Sequence, residues 1–172
     1  RLVTRGERAS GEFMTRVSGE ISSLDGELVH ELGDRLGRQG QLSVIYADLV
    51  GFKIPNDEHG WEFGNKLLIA VGQLLQSCCR DTDLAYRIGG DEFALILIDC
   101  GESDAYEVVS RITEAAAEFS LPTPDGGTIG VEFYIGLAAY EDGMTEQGLR
   151  DAADAQMGAA KDRRKQIHGS SR

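Results

Sequence analysis

Cysteine is scarce in this chain, and the few cysteines present match no metal-binding pattern. The 172 residues include three cysteines, of which Cys78 and Cys79 are adjacent. Three is an odd number, and no spacing typical of a metal site occurs. We therefore expect reduced thiols with a structural role in a cytoplasmic protein. His30, His59 and His168 are scattered, and we assign none of them a metal.

The sequence also lacks long apolar runs and an excess of positive charge. No stretch is long or apolar enough to span a bilayer, and no signal peptide is recognisable. The net charge of -12 argues against binding of nucleic-acid polymers or acidic membranes. A nucleotide remains compatible, because a few local cations and a metal ion can bind phosphate. Since the chain opens with Arg1 rather than Met, we expect it to be a piece of a longer multidomain or membrane-anchored protein.

The length and the apolar fraction of 41% are typical of one domain with a hydrophobic core. We divide the chain into an N-terminal helical or linker segment at 1–40, a globular domain at 41–166 and a frayed tail at 167–172. In the first segment, apolar residues recur at three- and four-residue steps between glycines. This pattern favours one or two amphipathic helices that pack or link.

The globular part has the predicted element order β-α-β-β-α-β-α. In chain order we predict a strand at 42–49, a loop at 50–60, a helix at 61–79, a hairpin at 84–98, a helix at 103–119, a strand at 128–139 and a helix from its N-cap Thr145 to about Lys165. The first six elements match a ferredoxin-like (split βαβ) α+β fold, with an antiparallel central sheet and flanking helices. In that fold the end of the first strand lies beside the start of the third.

The hairpin carries the most informative residues. Gly89 and Gly90 separate two apolar runs, and both can take φ > 0 in a two-residue turn. Asp91 and Glu92 follow at once, and adjacent carboxylates in a buried hairpin call for a positive group. Mg²⁺ suits them, because it binds one or two carboxylates plus substrate phosphates. Since Asp48 lies at the end of the first strand, the fold predicts a pair of carboxylates, Asp48 and Asp91, at one edge of the sheet. The alternative is a pair of solvated turn carboxylates.

The residues around this turn resemble the GGDEF-type diguanylate cyclases. Residues 89–93 spell the signature Gly-Gly-Asp-Glu-Phe. The run at 48–53, followed by Asn56-Asp57, Gly60 and Gly64, resembles the family pattern D-x-D-x-F-K…N-D…G-H-x-x-G-D. The resemblance covers about 42–165 and implies a nucleotidyl cyclase-like fold. It also implies condensation of two GTP molecules to cyclic di-GMP and pyrophosphate, in a homodimer whose protomers each hold one half-site.

The resemblance implies a role for individual residues as well. Asp48, Asp91 and the Leu49 carbonyl would hold Mg²⁺ or Mn²⁺, which neutralises phosphate charge and activates the attacking 3′-hydroxyl. Asp91 or Glu92 would assist deprotonation of that hydroxyl. The remaining implied positions are Lys53 for phosphate contact in catalysis, and Phe52, Asn56, Asn65, Gly89, Gly90, Lys161 and Lys165 for substrate binding. For the basic run at 161–165, stabilisation of the helix dipole is the alternative.

Several positions depart from the family pattern. They are Asn65 for Asp, Trp61 for His, Lys165 for Arg, Pro55 for an apolar residue, Gly158 for Tyr, and an eroded N-terminal motif around Val3-Thr4-Arg5. An amide at 65 offers one acceptor oxygen and a donor NH₂, where a carboxylate accepts from both N1–H and the amino group of guanine. These departures affect turnover and base selectivity more than the fold.

Arg80 and Asp83 resemble the inhibitory product-binding site of the family. Arg80 would engage phosphate and guanine of cyclic di-GMP, and Asp83 would accept from a guanine edge. The alternative is a surface Arg–Asp pair in a turn. Two functions therefore stay open: an active cyclase, or a catalytically weak module that binds cyclic di-GMP or GTP and regulates an attached domain.

Overall fold

A computed structural model describes residues 40–169, with side chains described for residues 40–166. The elements are β1 (Leu42–Leu49), α1 (Lys53–His59), α2 (Trp61–Ser77), β2 (Leu84–Arg87), β3 (Glu92–Ile98), α3 (Glu102–Glu118), β4 (Leu121–Pro122), β5 (Thr128–Ile129), β6 (Phe133–Ala139) and α4 (Glu146–Gly169). The helices predicted before residue 40 and the motif around Val3-Thr4-Arg5 lie outside the described residues.

The main sheet has the strand order β2-β3-β1-β6, and every neighbouring pair is antiparallel. Strand β1 is buried at all its positions because both faces of the sheet are covered. Side chains of β1 that point to one face, such as Ile45, pack with α2 and α3. Those that point to the other face, such as Val44, pack with α4. The predicted α+β, ferredoxin-like architecture is confirmed.

The predicted loop at 50–60 is wrong, because it contains the helix α1. Pro55 is the third residue of this helix. A proline is tolerated in the first turn, where its missing N–H would have no helical partner. Gly51 (φ 70°) and Gly60 (φ 83°) adopt left-handed conformations on either side of α1. These glycines permit the sharp changes of direction that separate α1 from β1 and α2.

The predicted strand at 128–139 is two strands. Thr128–Ile129 pairs with Leu121–Pro122 in a small separate sheet. Phe133–Ala139 pairs with β1 in the main sheet. Alternating apolar residues continue through the junction, so periodicity alone did not reveal that the two halves have different partners.

The last helix begins as predicted and ends later. The Thr145 Oγ1 atom accepts a hydrogen bond from the Gly148 N–H at 3.1 Å, which is an N-cap contact. The helix continues to Gly169, past the predicted start of the tail at 167. No helix of residues 40–169 is both long and apolar enough to cross a membrane.

The three cysteines are free thiols. Burial, with a smaller contribution from the charge of Asp83, raises the pKa of Cys79 to about 12. Burial also raises the pKa values of Cys78 and Cys100. A thiol with a raised pKa is a poor nucleophile at neutral pH, and this agrees with the predicted structural role.

Candidate functional site

Three carboxylates lie together where β1 ends and β3 begins, and we call Asp48, Asp91 and Glu92 the acidic edge. Asp48 is opposite Glu92 in the β1–β3 register. The Leu49 N–H donates a hydrogen bond to the Asp91 carbonyl at 3.1 Å, which fixes the hairpin turn against the end of β1. The predicted proximity of positions 48 and 91 is confirmed.

Negative charge accumulates at the acidic edge, where Asp48 is buried and Asp91 and Glu92 are partly buried. Burial raises the pKa of Asp91, and the charge of Asp48 raises it further. Burial also raises the pKa of Glu92, with Asp48 adding to the effect and Lys161 opposing it. Desolvation and mutual repulsion thus disfavour the ionised form of both carboxyl groups, and Lys161 offsets only part of this effect. A bound cation would supply further positive charge and favour their ionised forms.

The donor chemistry of the acidic edge fits a hard divalent ion. The donors are oxygens only, as Mg²⁺ and Mn²⁺ prefer. Within the described residues, no group of three or more His, Cys, Asp or Glu side chains is placed to hold a metal. An ion bound by Asp48 and Asp91 would therefore complete its shell from backbone carbonyl, water or phosphate oxygens. Val50 stands at the second Asp position of the family pattern D-x-D-x-F-K. This chain therefore has one carboxylate fewer to offer an ion there.

The glycine turn is wider than the sequence predicted. Ile88 N–H donates to the Glu92 carbonyl at 2.9 Å, so the strands are joined by residues 88–91 rather than by two glycines. Neither Gly89 nor Gly90 is among the residues with positive φ. The predicted two-residue turn with φ > 0 is therefore wrong. Gly89 lies against the Glu92 side chain: a Cβ there would lie 2.6 Å from Glu92 Oε2, so that carboxylate would have to move aside.

Arg87 holds this turn in shape. Its Nε donates to the Gly89 carbonyl at 3.1 Å, and its Nη2 donates to the Gly90 carbonyl at 2.9 Å. Burial lowers the pKa of Arg87, while the charge of Asp91 works against that change. Sequence reasoning assigned Arg87 no role. Its hydrogen-bond acceptors are backbone carbonyls, and the sequence does not indicate which carbonyls a side chain will contact.

Helix α4 brings Lys161 to the acidic edge. Lys161 Nζ lies 2.9 Å from Asp48 Oδ2 and 3.8 Å from Glu92 Oε1. Burial favours a lower pKa for Lys161, but the hydrogen bond and charge of Asp48, together with Glu92, raise it overall. Lys161 therefore stays a cation. It is the positive group that the adjacent carboxylates required.

Close packing between α4 and β6 positions that lysine. A Cβ on Gly136 would lie 2.9 Å from the Met157 Cβ and would also collide with the Ala153 carbonyl. Met157 is one helical turn before Lys161, so the same helix face carries both. Glycine at 136 thus sets how near Lys161 comes to β1.

The structure does not pair Lys165 with Lys161 at the acidic edge. Its side chain is 78% exposed and lies 3.6 Å from Asp162 of its own helix. The neighbouring Arg164 was missed by sequence reasoning. It forms an ion pair of 2.5 Å with Glu132 and lies over the Tyr134 ring, 5.9 Å from its centroid. These contacts fasten α4 to the start of β6.

Four of the residues predicted to contact the nucleotide lie on α1, beside its start or on α2. Lys53 is exposed at the start of α1, and Asn65 is exposed on α2. The Asn56 side chain lies against Gly64, where any Cβ would collide with its Oδ1. Phe52 lines an apolar pocket of about 270 Å³. Other lining residues include Leu49, Val50, Leu67 and Ile129.

The predicted product-binding pair is split between surface and interior. Arg80 is exposed, whereas Asp83 is 6% exposed. Asp83 Oδ2 accepts the Arg80 backbone N–H at 2.8 Å, and Oδ1 accepts the Ile98 N–H at 3.1 Å. Asp83 therefore anchors the turn before β2 to the end of β3. Its predicted contact with guanine stays a prediction.

Comparison with known proteins agrees with the motif. The family model described as diguanylate cyclase, GGDEF domain, matches residues 14–166. The diguanylate cyclase TpbB of Pseudomonas aeruginosa (strain UCBPP-PA14) is 33% identical over 150 residues, which is 86% of this chain and 34% of that protein. The chain spans about a third of the length of such curated relatives.

Solved structures have the same fold. The GGDEF domain of TpbB from Pseudomonas aeruginosa (PAO1) superposes with a TM-score of 0.72 at 30% identity, covering 83% of each chain. The GGDEF domain of DgcB from Caulobacter crescentus, solved in complex with c-di-GMP, has a TM-score of 0.72 at 21% identity. That match covers 81% of this chain and 83% of the other, and it supports the fold.

Proposed function

We propose that this chain, which belongs to the GGDEF family of diguanylate cyclases, condenses two GTP molecules to cyclic di-GMP and pyrophosphate. The observation that carries the proposal is the acidic edge itself. Asp48 and Asp91 come from distant parts of the sequence and meet at the end of two central strands, beside the Lys161 ammonium. Carboxylates and a lysine gathered in this way suit a metal–triphosphate substrate.

In this proposal Asp48, Asp91 and the Leu49 carbonyl hold Mg²⁺ or Mn²⁺. The ion would neutralise phosphate charge and make the attacking 3′-hydroxyl more acidic. Arg87 holds the turn formed by residues 88–91 in one conformation. Phosphate oxygens can then approach the backbone of Gly89 and Gly90, which carry no side chain. Asp91 or Glu92 accepts the hydroxyl proton. Both carboxyl groups lie at the acidic edge, and the charge of a bound ion would keep them ionised and so able to accept a proton.

The nucleotide is bound by residues on both sides of the acidic edge. Lys53 and Lys161 contact phosphates, and Asn56 with Asn65 reads the base beside Phe52. Lys165, now paired with Asp162, would have to turn toward the phosphates to assist. Each protomer holds one GTP, so two protomers must face each other for the two 3′-hydroxyls to attack.

Mass spectrometry of the products from GTP, and separately from ATP, with Mg²⁺ tests the proposal. The protein is first stripped of bound nucleotide and is dimerised through a fused leucine zipper. We expect cyclic di-GMP from GTP, and its loss in Asp48→Asn. Arg163→Ala changes an exposed residue of α4 outside the site and serves as the matched control. A dimer that gives no cyclic di-GMP, while it binds GTP, would contradict turnover.

A second candidate is binding of cyclic di-GMP at the turn that carries Arg80. The supporting observation is that Asp83 fixes the backbone of this turn and leaves the Arg80 side chain exposed. A guanidinium on a rigid turn suits planar, bidentate contact with phosphate or guanine. Calorimetry with cyclic di-GMP should show binding that Arg80→Ala removes and Arg163→Ala retains. Equal affinities in all three proteins would contradict this candidate.

A further inference from the structure

Lys161 contacts the same carboxylate that the proposed function assigns to the metal ion. The distance from Lys161 Nζ to Asp48 Oδ2 is 2.9 Å, and the distance to Glu92 Oε1 is 3.8 Å. The Asp48 side chain is 11% exposed, so solvent competes poorly for it. A short, charge-assisted bond to a nearly buried carboxylate is stronger than a surface ion pair.

We propose that Lys161 is an internal counter-ion that competes with the divalent cation for Asp48 in the nucleotide-free protein. The proposal rests on the proposed function for the identity of the ion, but not on turnover. An ammonium group and a dication on one carboxylate repel each other. The ion therefore engages Asp48 fully only when Lys161 withdraws.

The geometry lets Lys161 withdraw without movement of its helix. Met157 holds α4 against Gly136, so the backbone that carries Lys161 is fixed. The lysine stem has four carbons, and the side chain is 30% exposed. The ammonium group can thus turn from Asp48 to a nearby phosphate. Nucleotide and ion should then favour each other's binding, because the phosphates take the lysine away from Asp48.

Electron paramagnetic resonance of free Mn²⁺ measures ion binding to the nucleotide-free chain. Lys161→Met removes the competing charge and keeps an apolar stem. Lys165→Met is the matched control. It removes the same charge one helical turn after Lys161, from a lysine that is exposed and paired with Asp162. At physiological ionic strength we expect Lys161→Met to tighten Mn²⁺ binding on the order of tenfold. Lys165→Met should change it less than about twofold, and Lys161→Arg should stay near wild type.

Thermal unfolding gives a second readout. In EDTA, Lys161→Met should melt about 2–4 °C below wild type, since the carboxylates lose their cation. Mn²⁺ should restore that loss and raise the Tm of the variant more than that of wild type. If Lys161→Met does not fold, Lys161→Gln provides the same comparison.

Equal tightening in Lys161→Met and Lys165→Met would overturn the proposal, because it would show only a general effect of net charge. Unchanged affinity in Lys161→Met would overturn it as well. Both measurements omit nucleotide. A chain that fails to make cyclic di-GMP can therefore still confirm or contradict the role of Lys161.

Discussion

Two aspartates of this domain are almost equally buried, yet the fold treats them differently. Counted over the whole residue, Asp48 is 8% exposed and Asp83 is 6% exposed. They lie near opposite ends of β3: Asp48 faces Glu92 at its start, and Asp83 bonds to Ile98 at its end. Both oxygens of Asp83 accept hydrogen bonds from backbone N–H groups, which cannot leave. Asp48 is paired with Lys161, whose long and partly exposed side chain can move away from it.

This difference separates a carboxylate that serves the fold from one that is available to a ligand. Burial and residue type do not distinguish these two carboxylates. Their hydrogen-bond partners do, because a backbone N–H is fixed by the fold, whereas a lysine ammonium group can be exchanged for a metal ion. Four substitutions follow, with effects that decrease from Asp48 to Arg87. The first two test this distinction directly, and the other two test how Lys161 and the glycine turn are positioned at the acidic edge.

Asp48→Asn should nearly abolish the activity with only a modest loss of stability, because relief of the repulsion between Asp48 and Asp91 partly offsets the lost ion pair with Lys161. Replacing a metal-binding carboxylate by an amide weakens ion binding and removes charge stabilisation, so we expect the rate of cyclic di-GMP formation to fall about 10³-fold. The rate is measured by chromatography of the products, and stability by denaturant unfolding. A variant that keeps a tenth of the activity would contradict a metal-binding role for Asp48.

Asp83→Ala should do the reverse. It leaves two partly buried backbone N–H groups, those of Arg80 and Ile98, without their carboxylate acceptor, and we expect it to lower the free energy of unfolding by about 2–4 kcal/mol. Activity per folded molecule should stay within about threefold of wild type, because the acidic edge is at the other end of β3. Chemical denaturation and a product assay at low temperature measure the two effects. A fully stable Asp83→Ala would show that its hydrogen bonds are not structural.

Gly136→Ala should push α4 away from β6. The added methyl group would collide with the Ala153 carbonyl and crowd Met157, which we expect to cost about 1–3 kcal/mol of stability. Because Lys161 follows Met157 on that helix, the KM for GTP should rise as well. Gly158→Ala is the control, since a Cβ there meets no described atom within 4 Å. Equal behaviour of the two variants would contradict the positioning role of Gly136.

Arg87→Met should have the smallest effect. Loss of the guanidinium frees the carbonyls of Gly89 and Gly90, so the turn can adopt other shapes. We expect kcat to fall about tenfold, with a change in Tm of about 2–4 °C or less. Steady-state kinetics and thermal unfolding measure both. A large loss of Tm with unchanged kcat would assign Arg87 to the fold alone.

The features that could be predicted from the sequence are those that pattern and topology determine. Continuous apolar runs predicted β1 and β3, and the split βαβ order predicted that Asp48 and Asp91 meet. Features that depend on backbone atoms or on side-chain direction were missed. Arg87 bonds to carbonyls, Asp83 bonds to N–H groups, and Lys165 turns away while Arg164 contacts Glu132. Helix α1 is not evident from the sequence, because a proline such as Pro55 is typical of a loop unless it lies in the first turn of a helix.

A crystal structure of the chain with Mg²⁺ and a non-hydrolysable GTP analogue would decide whether Asp48 exchanges its lysine for a metal ion. We predict an ion about 2.0–2.1 Å from oxygens of Asp48 and Asp91, with phosphate oxygens among its remaining ligands. The Lys161 ammonium should then contact phosphate instead of Asp48. An ion bound elsewhere, with Lys161 still 2.9 Å from Asp48 Oδ2, would contradict this exchange.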